Sequence, residues 1–204
     1  MNYFITGIGT DVGKTVIASI LVEALHADYW KPVQCGDLEN SDTTRVKQLT
    51  SNTESQFHPE TYRFTQPLSP HAAAKIDGVK IEADDFKLPK TNNHLIIEGA
   101  GGLMVPLNEN RLIIDLIKSL FMPVILVSRN YLGSINHTLL SVEILKHRNI
   151  PIAGIIFNGV ENIESESIIK QFSGLYIFGR VDEEPVINSE VIKKYSGQFS
   201  FLGK

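Results

Sequence analysis

The segment Gly7-Ile8-Gly9-Thr10-Asp11-Val12-Gly13-Lys14-Thr15 constrains this chain more than any other. It follows a short apolar run, Tyr3 to Thr6, and precedes a stretch in which Val16, Ile17, Ile20, Leu21, Ala24 and Leu25 recur at helical spacing. Glycines let a backbone wrap around an anion, and the free N–H groups and dipole at a helix start favour negative charge there. In such a phosphate loop Lys14 reaches the β and γ phosphates and the Thr15 hydroxyl holds Mg²⁺. The loop is a variant: the usual spacing wants glycine where Ile8 stands, and Gly7 lies one residue earlier. A dinucleotide fingerprint fits worse, because Val12 occupies a glycine position and Lys14 would have no role.

Beyond the loop, short apolar runs alternate with helical periodicity, the mark of a mostly parallel sheet with helices on both faces. The expectation is one α/β P-loop domain over residues 1–204, with a short C-terminal region from about 181. Strands are expected at Tyr3–Thr6, Tyr29–Val33, His94–Glu98, Pro123–Ser128, Ile152–Asn158 and Leu175–Gly179. Helices are expected from Lys14 to about His26, over Ser134–His147 and around Asn188–Tyr195. Ser51–Gln66 and Asp77–Asn93 read as loops with short helices.

The net charge of −4 and pI of about 5.9 exclude a broad positive field for nucleic acid. Cys35 is the only cysteine, which excludes an internal disulfide and a multi-thiolate zinc site. No apolar run approaches the roughly 20 residues of a membrane-spanning helix. The first residues lack a signal peptide's basic region. A reducing cytoplasm is the expected compartment.

Triphosphate chemistry also needs carboxylates for a metal and a group for the second substrate. Tyr29 to Gly36 carries Lys31 among apolar neighbours, where the local alternative is an ordinary surface charge. Asn40-Ser41-Asp42-Thr43 offers a carboxylate or, equally well on local grounds, an N-cap for a helix running to about Leu49. Ile96-Ile97-Glu98-Gly99-Ala100-Gly101-Gly102 delivers an acid from a buried strand into a glycine cluster, an unusual place for a solubilising charge.

In order along about three quarters of the chain, these segments resemble the dethiobiotin synthetase family. The resemblance rests on Gly9 to Thr15, Lys31-Pro32-Val33, Asn40 to Asp42, Ser69-Pro70-His71, Glu98 to Gly102 and Leu132 to His137. It implies an ATP-dependent ligase that carboxylates 7,8-diaminononanoate with CO₂ and closes a ureido ring. By that resemblance Lys31 and Lys14 are catalytic, and Thr15, Asp42 and Glu98 surround Mg²⁺. Asp11, Val12, Gly13, Lys14, Thr15 and Val16 cradle the phosphates. Glu98, Gly99, Ala100 and Gly101 line the nucleotide site, and Asn158 meets the base. Thr10, Cys35 and Gly36 face the diamine. Leu132 and Asn136 serve a substrate site shared across a homodimer.

The resemblance departs at Cys35, where serine is common, and at the C-terminus, where the family usually carries a longer region over the adenine. Two rival readings are weaker. A cobyrinate-type amidoligase usually appends a glutamine-hydrolysing domain that 204 residues cannot hold. A partition-type ATPase has a further lysine early in the loop, and a GTPase an Asn-Lys-x-Asp signature; both are missing here. The six histidines form no H-E-x-x-H pair and no serine sits in G-x-S-x-G, so metalloprotease and serine-hydrolase readings fall.

Overall fold

The computed structural model describes residues 1–203. Seven strands form one sheet, β1 (Asn2–Gly7), β2 (Asp28–Trp30), β4 (Phe57–His58), β6 (Leu95–Gly102), β7 (Val124–Arg129), β8 (Ile152–Asn158) and β9 (Ile177–Val181). Their order is β4-β2-β6-β1-β7-β8-β9 and every pairing is parallel. The other two strands, β3 (Val33–Cys35) and β5 (Tyr62–Phe64), pair in parallel beside the main sheet.

Side chains alternate faces along each strand. Tyr3, Ile5, Tyr29 and Ile96 join one core with the apolar side of α1 (Lys14–Leu25) and of α7 (Ser189–Ser196). Phe4, Trp30, Leu95 and Ile97 point the other way, against α4 (Ile113–Leu120) and part of α5 (Ser134–His147). Leu126, Ile155 and Phe157 pack on Val142 of α5 and Ile169 of α6 (Ile163–Ser173). The expected layering, helices on both faces of a parallel sheet, is what forms.

Several elements differ from expectation. Tyr29–Val33 is two strands in different sheets, because Pro32 has no N–H and cannot continue the ladder. Its carbonyl instead accepts from the Tyr62 N–H at 3.1 Å and starts the β3–β5 pairing. Ser51–Gln66, read as loop with short helices, contains β4 and β5; their pairing partners lie far away in sequence and leave no local periodicity. The strand expected at Leu175–Gly179 is shifted to Ile177–Val181, and the one at His94–Glu98 runs on to Gly102. The helices α4, α6 and α3 (Pro70–Ile76) had no counterpart in the sequence reading.

The C-terminal end is more than a polar tail. Asn188 caps α7 by accepting from the Val191 N–H at 3.0 Å. Ile192, Tyr195, Phe199 and Leu202 then pack on α1, with Phe199 and Leu202 supplied by the 3₁₀ turns of Gly197–Gly203. No helix among the described residues is long and apolar enough to cross a membrane.

Candidate active site

Parallel strands direct their C-terminal ends to one edge, where α/β folds bind ligands. Here β2, β6 and β1 are neighbours, and register does the rest. Trp30 pairs with Ile97 and Ile5 pairs with Glu98. Lys31 therefore leaves β2 beside Glu98, and both share the α1 face with Tyr29 and Ile96, two residues earlier on their strands. The start of α1 sits over that face and supplies Thr15.

The loop from Gly7 to Gly13 is held in one shape. Asp11 and Gly13 adopt φ of 56° and 93°. A side chain at Gly13 would be driven into Asn158, 2.1 Å from Nδ2, and one at Gly7 into Val12, 2.4 Å from Cγ2. Glycine is thus required at 7, one residue before the usual position, by the buried Val12 that backs the loop. The Asn158 amide donates to the Val12 carbonyl at 3.0 Å and pins the loop from β8. The Lys14 ammonium bends back to the Gly9 carbonyl at 2.8 Å.

Below the loop, α2 (Asp42–Leu49) begins with Ser41 as its cap, the Ser41 hydroxyl accepting from the Thr44 N–H at 3.3 Å. Ser41 is the cap, and Asp42 in the first turn directs its carboxylate to Thr15 and Lys31. Thr15 Oγ1 donates to Glu98 Oε1 at 2.9 Å and approaches Asp42 Oδ1 at 3.1 Å. Lys31 Nζ donates to Glu98 Oε1 at 3.1 Å and to Asp42 Oδ2. One hydroxyl and two carboxylates, all oxygen, converge within hydrogen-bond reach; this hard donor set suits Mg²⁺.

Lys31 is no surface charge: it is 5% exposed and Glu98 is 1% exposed. Burial opposes its charge, but Glu98 and then Asp42 outweigh it and hold the Lys31 ammonium above its ordinary pKa. Burial would likewise raise the Asp42 pKa, and contact with Lys31 reverses the sign and lowers it. Lys14 lacks such close carboxylates. Desolvation brings it down to about 8, opposed by Glu98 and reinforced by the like charge of Lys31. Burial pushes the Cys35 thiol up to about 11 despite the pull of Lys31, so it meets a ligand as a neutral, weakly hydrogen-bonding group.

Lys14 and Lys31 open into the same cavity of about 800 Å³. Thr10, Asp11, Gly13, Thr15 and Val16 of the loop border it, as do Cys35, Asp42 and Glu98. Ala100, Gly101 and Asn158 also border it. Five expected residues stand apart. Val12 turns its side chain into the core, and Gly99 lies against Phe4, 2.9 Å from a would-be Cβ. Gly36 is closed in by Pro67, 2.7 Å from a would-be Cβ. Leu132 and Asn136 border a second depression with Val160 and Asn162, and Leu132 is fully exposed.

Three contributors were not singled out in the sequence. The buried Tyr29 hydroxyl donates to Glu98 Oε2 at 2.8 Å; its position two residues before Lys31, hence on the same face, was the available signal. Gln34 Oε1 accepts from the Asp42 N–H at 3.2 Å and anchors the start of α2, which nothing in the order of residues indicates. Arg129, at the end of β7, bonds Glu183 Oε1 at 3.0 Å and the Asp11 carbonyl at 3.4 Å. Asp182, Glu183, Glu184 and Ile187 also border the cavity, so the segment after β9 forms a wall of it.

A glycine-wrapped loop at the start of α1, backed by a parallel sheet and facing two lysines, defines a P-loop nucleotide-binding protein of the α/β class. The model of the AAA domain family (AAA_26) matches residues 1–191. Among solved structures, the fold is similar to the MinC:MinD cell division complex of Aquifex aeolicus, with a TM-score of 0.59 and 12% identity over 100% of this chain and 96% of that one. It is also similar to a ParA family ATPase from Chlorobium tepidum TLS, with a TM-score of 0.56 and 13% identity over 98% and 95% of the two chains. At that identity the likeness concerns the fold alone.

The sequence comparison is far closer. An ATP-dependent dethiobiotin synthetase BioD of Christiangramia forsetii is 55% identical over 97% of this chain and 95% of its own length. Another, of Cytophaga hutchinsonii, is 51% identical over 96% and 95%. The BioD of Chlamydia pneumoniae is 45% identical over 96% and 87%. The chain belongs to the family of ATP-dependent dethiobiotin synthetases, ligases that form carbon–nitrogen bonds.

Proposed function

We propose that the 800 Å³ cavity binds MgATP and the carbamate of 7,8-diaminononanoate side by side, and that Lys14 and Lys31 carry the chemistry. The carrying observation is that both ammonium groups meet in one cavity beside the Thr15, Asp42 and Glu98 oxygens. In this reading Asp11 to Val16 cradle the triphosphate, with Glu98 to Gly101 beside it and Asn158 toward the base. Thr10 and Cys35 lie toward the diamine, and Gly36, closed in by Pro67, turns the chain beside Cys35. Thr15, Asp42 and Glu98 hold Mg²⁺, which when bound supplies positive charge to the β- and γ-phosphate oxygens.

One amine of the substrate adds CO₂ and loses a proton to give a carbamate. A carbamate oxygen then attacks the γ-phosphorus; the new P–O bond forms as the bond to ADP breaks, giving a mixed carbamic–phosphoric anhydride. The second amine attacks the carbonyl carbon, the C–O bond to phosphate breaks, a proton is lost, and the ureido ring closes. Phosphoryl transfer asks mainly for positioning and charge neutralisation. Lys31, kept protonated by Glu98 and Asp42, donates to the carbamate and the phosphoryl oxygens in transit. Lys14 draws charge off the triphosphate.

The same reading makes the molecule a cytoplasmic homodimer. Leu132 and Asn136 lie away from the cavity of their own chain and border a depression flanked by the exposed Val160, which suits a role toward a partner subunit's substrate. The decisive assay supplies diamine, bicarbonate and MgATP together and each alone. Phosphate release only from the complete mixture, with formation of dethiobiotin, is expected. Steady hydrolysis of ATP without diamine would favour a nucleotide switch instead.

A further inference from the structure

The two carboxylate oxygens of Glu98 have different neighbours. Oε1 accepts from Thr15 Oγ1 at 2.9 Å and from Lys31 Nζ at 3.1 Å, facing the cavity. Oε2 accepts from the Tyr29 hydroxyl at 2.8 Å, inside the protein. Tyr29 is completely buried, its ring in the α1-side core next to Phe57 at 6.4 Å between centroids. Its backbone pairs with Ile96 across two adjacent interior strands, so donor and acceptor are both set by sheet register rather than by a mobile loop.

We propose that Tyr29 is a positioning residue that determines metal specificity: by holding Oε2, it leaves Glu98 a single oxygen to offer a cation and so favours Mg²⁺ over Ca²⁺. The inference rests on Glu98 being a metal ligand, as proposed above. Mg²⁺ demands compact octahedral geometry and accepts one oxygen per carboxylate, whereas Ca²⁺ takes six to eight oxygens and readily binds a carboxylate through both. For Glu98 to grip a cation with both oxygens, Oε2 would have to leave Tyr29 and strand a buried phenol O–H without a partner. The larger ion thus loses a ligand that the smaller one does not need.

Tyr29→Phe tests this, because it keeps the ring and removes only the donor. The purified chain with bound ADP is titrated calorimetrically with Mg²⁺ and with Ca²⁺, with no turnover involved. The preference for Mg²⁺ should fall about tenfold in the variant, mainly through tighter Ca²⁺ binding, the scale of one hydrogen bond to a charged group. An unchanged preference, or equal weakening of both ions, overturns the inference. Metal affinity that Glu98→Gln leaves untouched would instead remove Glu98 as a ligand, a separate failure of the underlying reading. If Tyr29→Phe does not fold, the infrared carboxylate bands of the wild-type ADP complex decide, with Glu98→Gln as the subtraction. A one-oxygen signature with both ions supports the inference, and a two-oxygen signature with Ca²⁺ sinks it.

Discussion

The floor of the cavity and its C-terminal rim are both crowded with charge, yet they use it differently. On the floor, Lys31, Glu98 and Asp42 have side chains 6%, 1% and 21% exposed and share one another as partners. On the rim, Arg129 and Glu183 form an ion pair with side chains 39% and 53% exposed, and Glu184 bonds the exposed Lys194. Water screens the rim pairs, so each adds little. The floor has no such screening: removing one member leaves the others buried and uncompensated, while the same desolvation makes their charges effective on a ligand. The same residue types thus form a desolvated cluster facing a cavity in one place and screened surface pairs in the other, and burial decides which.

Lys31→Ala should break the floor most severely. Turnover is expected to fall at least about a hundredfold, the scale of deleting one donor to a transition-state oxyanion, with nucleotide binding largely kept. Steady-state kinetics and calorimetric nucleotide titration measure the two sides, and nearly unchanged turnover would remove Lys31 from catalysis. The second test follows from the pKa of Lys14, brought down to about 8 by burial. The phosphates bind the ammonium form, so affinity is fully present below that value and is lost as pH rises through it. Above it, affinity for ADP should drop by up to about tenfold per pH unit, measured from pH 7.5 upward, where the phosphates are already ionised. A flat profile to pH 9.5 would mean that Lys14 does not grip the nucleotide. Glu183→Gln is the smallest perturbation: nucleotide affinity should shift less than about threefold, as for an exposed pair. A larger shift would show that the rim belongs with the floor.

How much of this was legible in the sequence depends on how far apart the interacting residues lie. The phosphate loop, the helix after it, and the strands around Tyr3, Pro123 and Ile152 follow from contiguous patterns, and all are present. A single strand through Lys31-Pro32 would need a ladder bond that proline cannot make, and the chain changes sheet there instead. β4 and β5 were missed because short strands take their identity from a partner. Lys31 alone could have been a surface charge and Asp42 no more than part of a cap, since neither has a local neighbour that reveals its surroundings.

What the order of residues settled unaided was the anion-binding loop and the layered parallel sheet that carries it, because glycine geometry, helical periodicity and apolar runs act within a few residues. Tertiary structure alone decided which charges are buried together. Lys31 meets Glu98 across 67 positions and Tyr29 meets it across 69, joined only by the register of β2 on β6. A pairing of strands fixes positions to within a bond length, and no count of spacings along the chain contains that information.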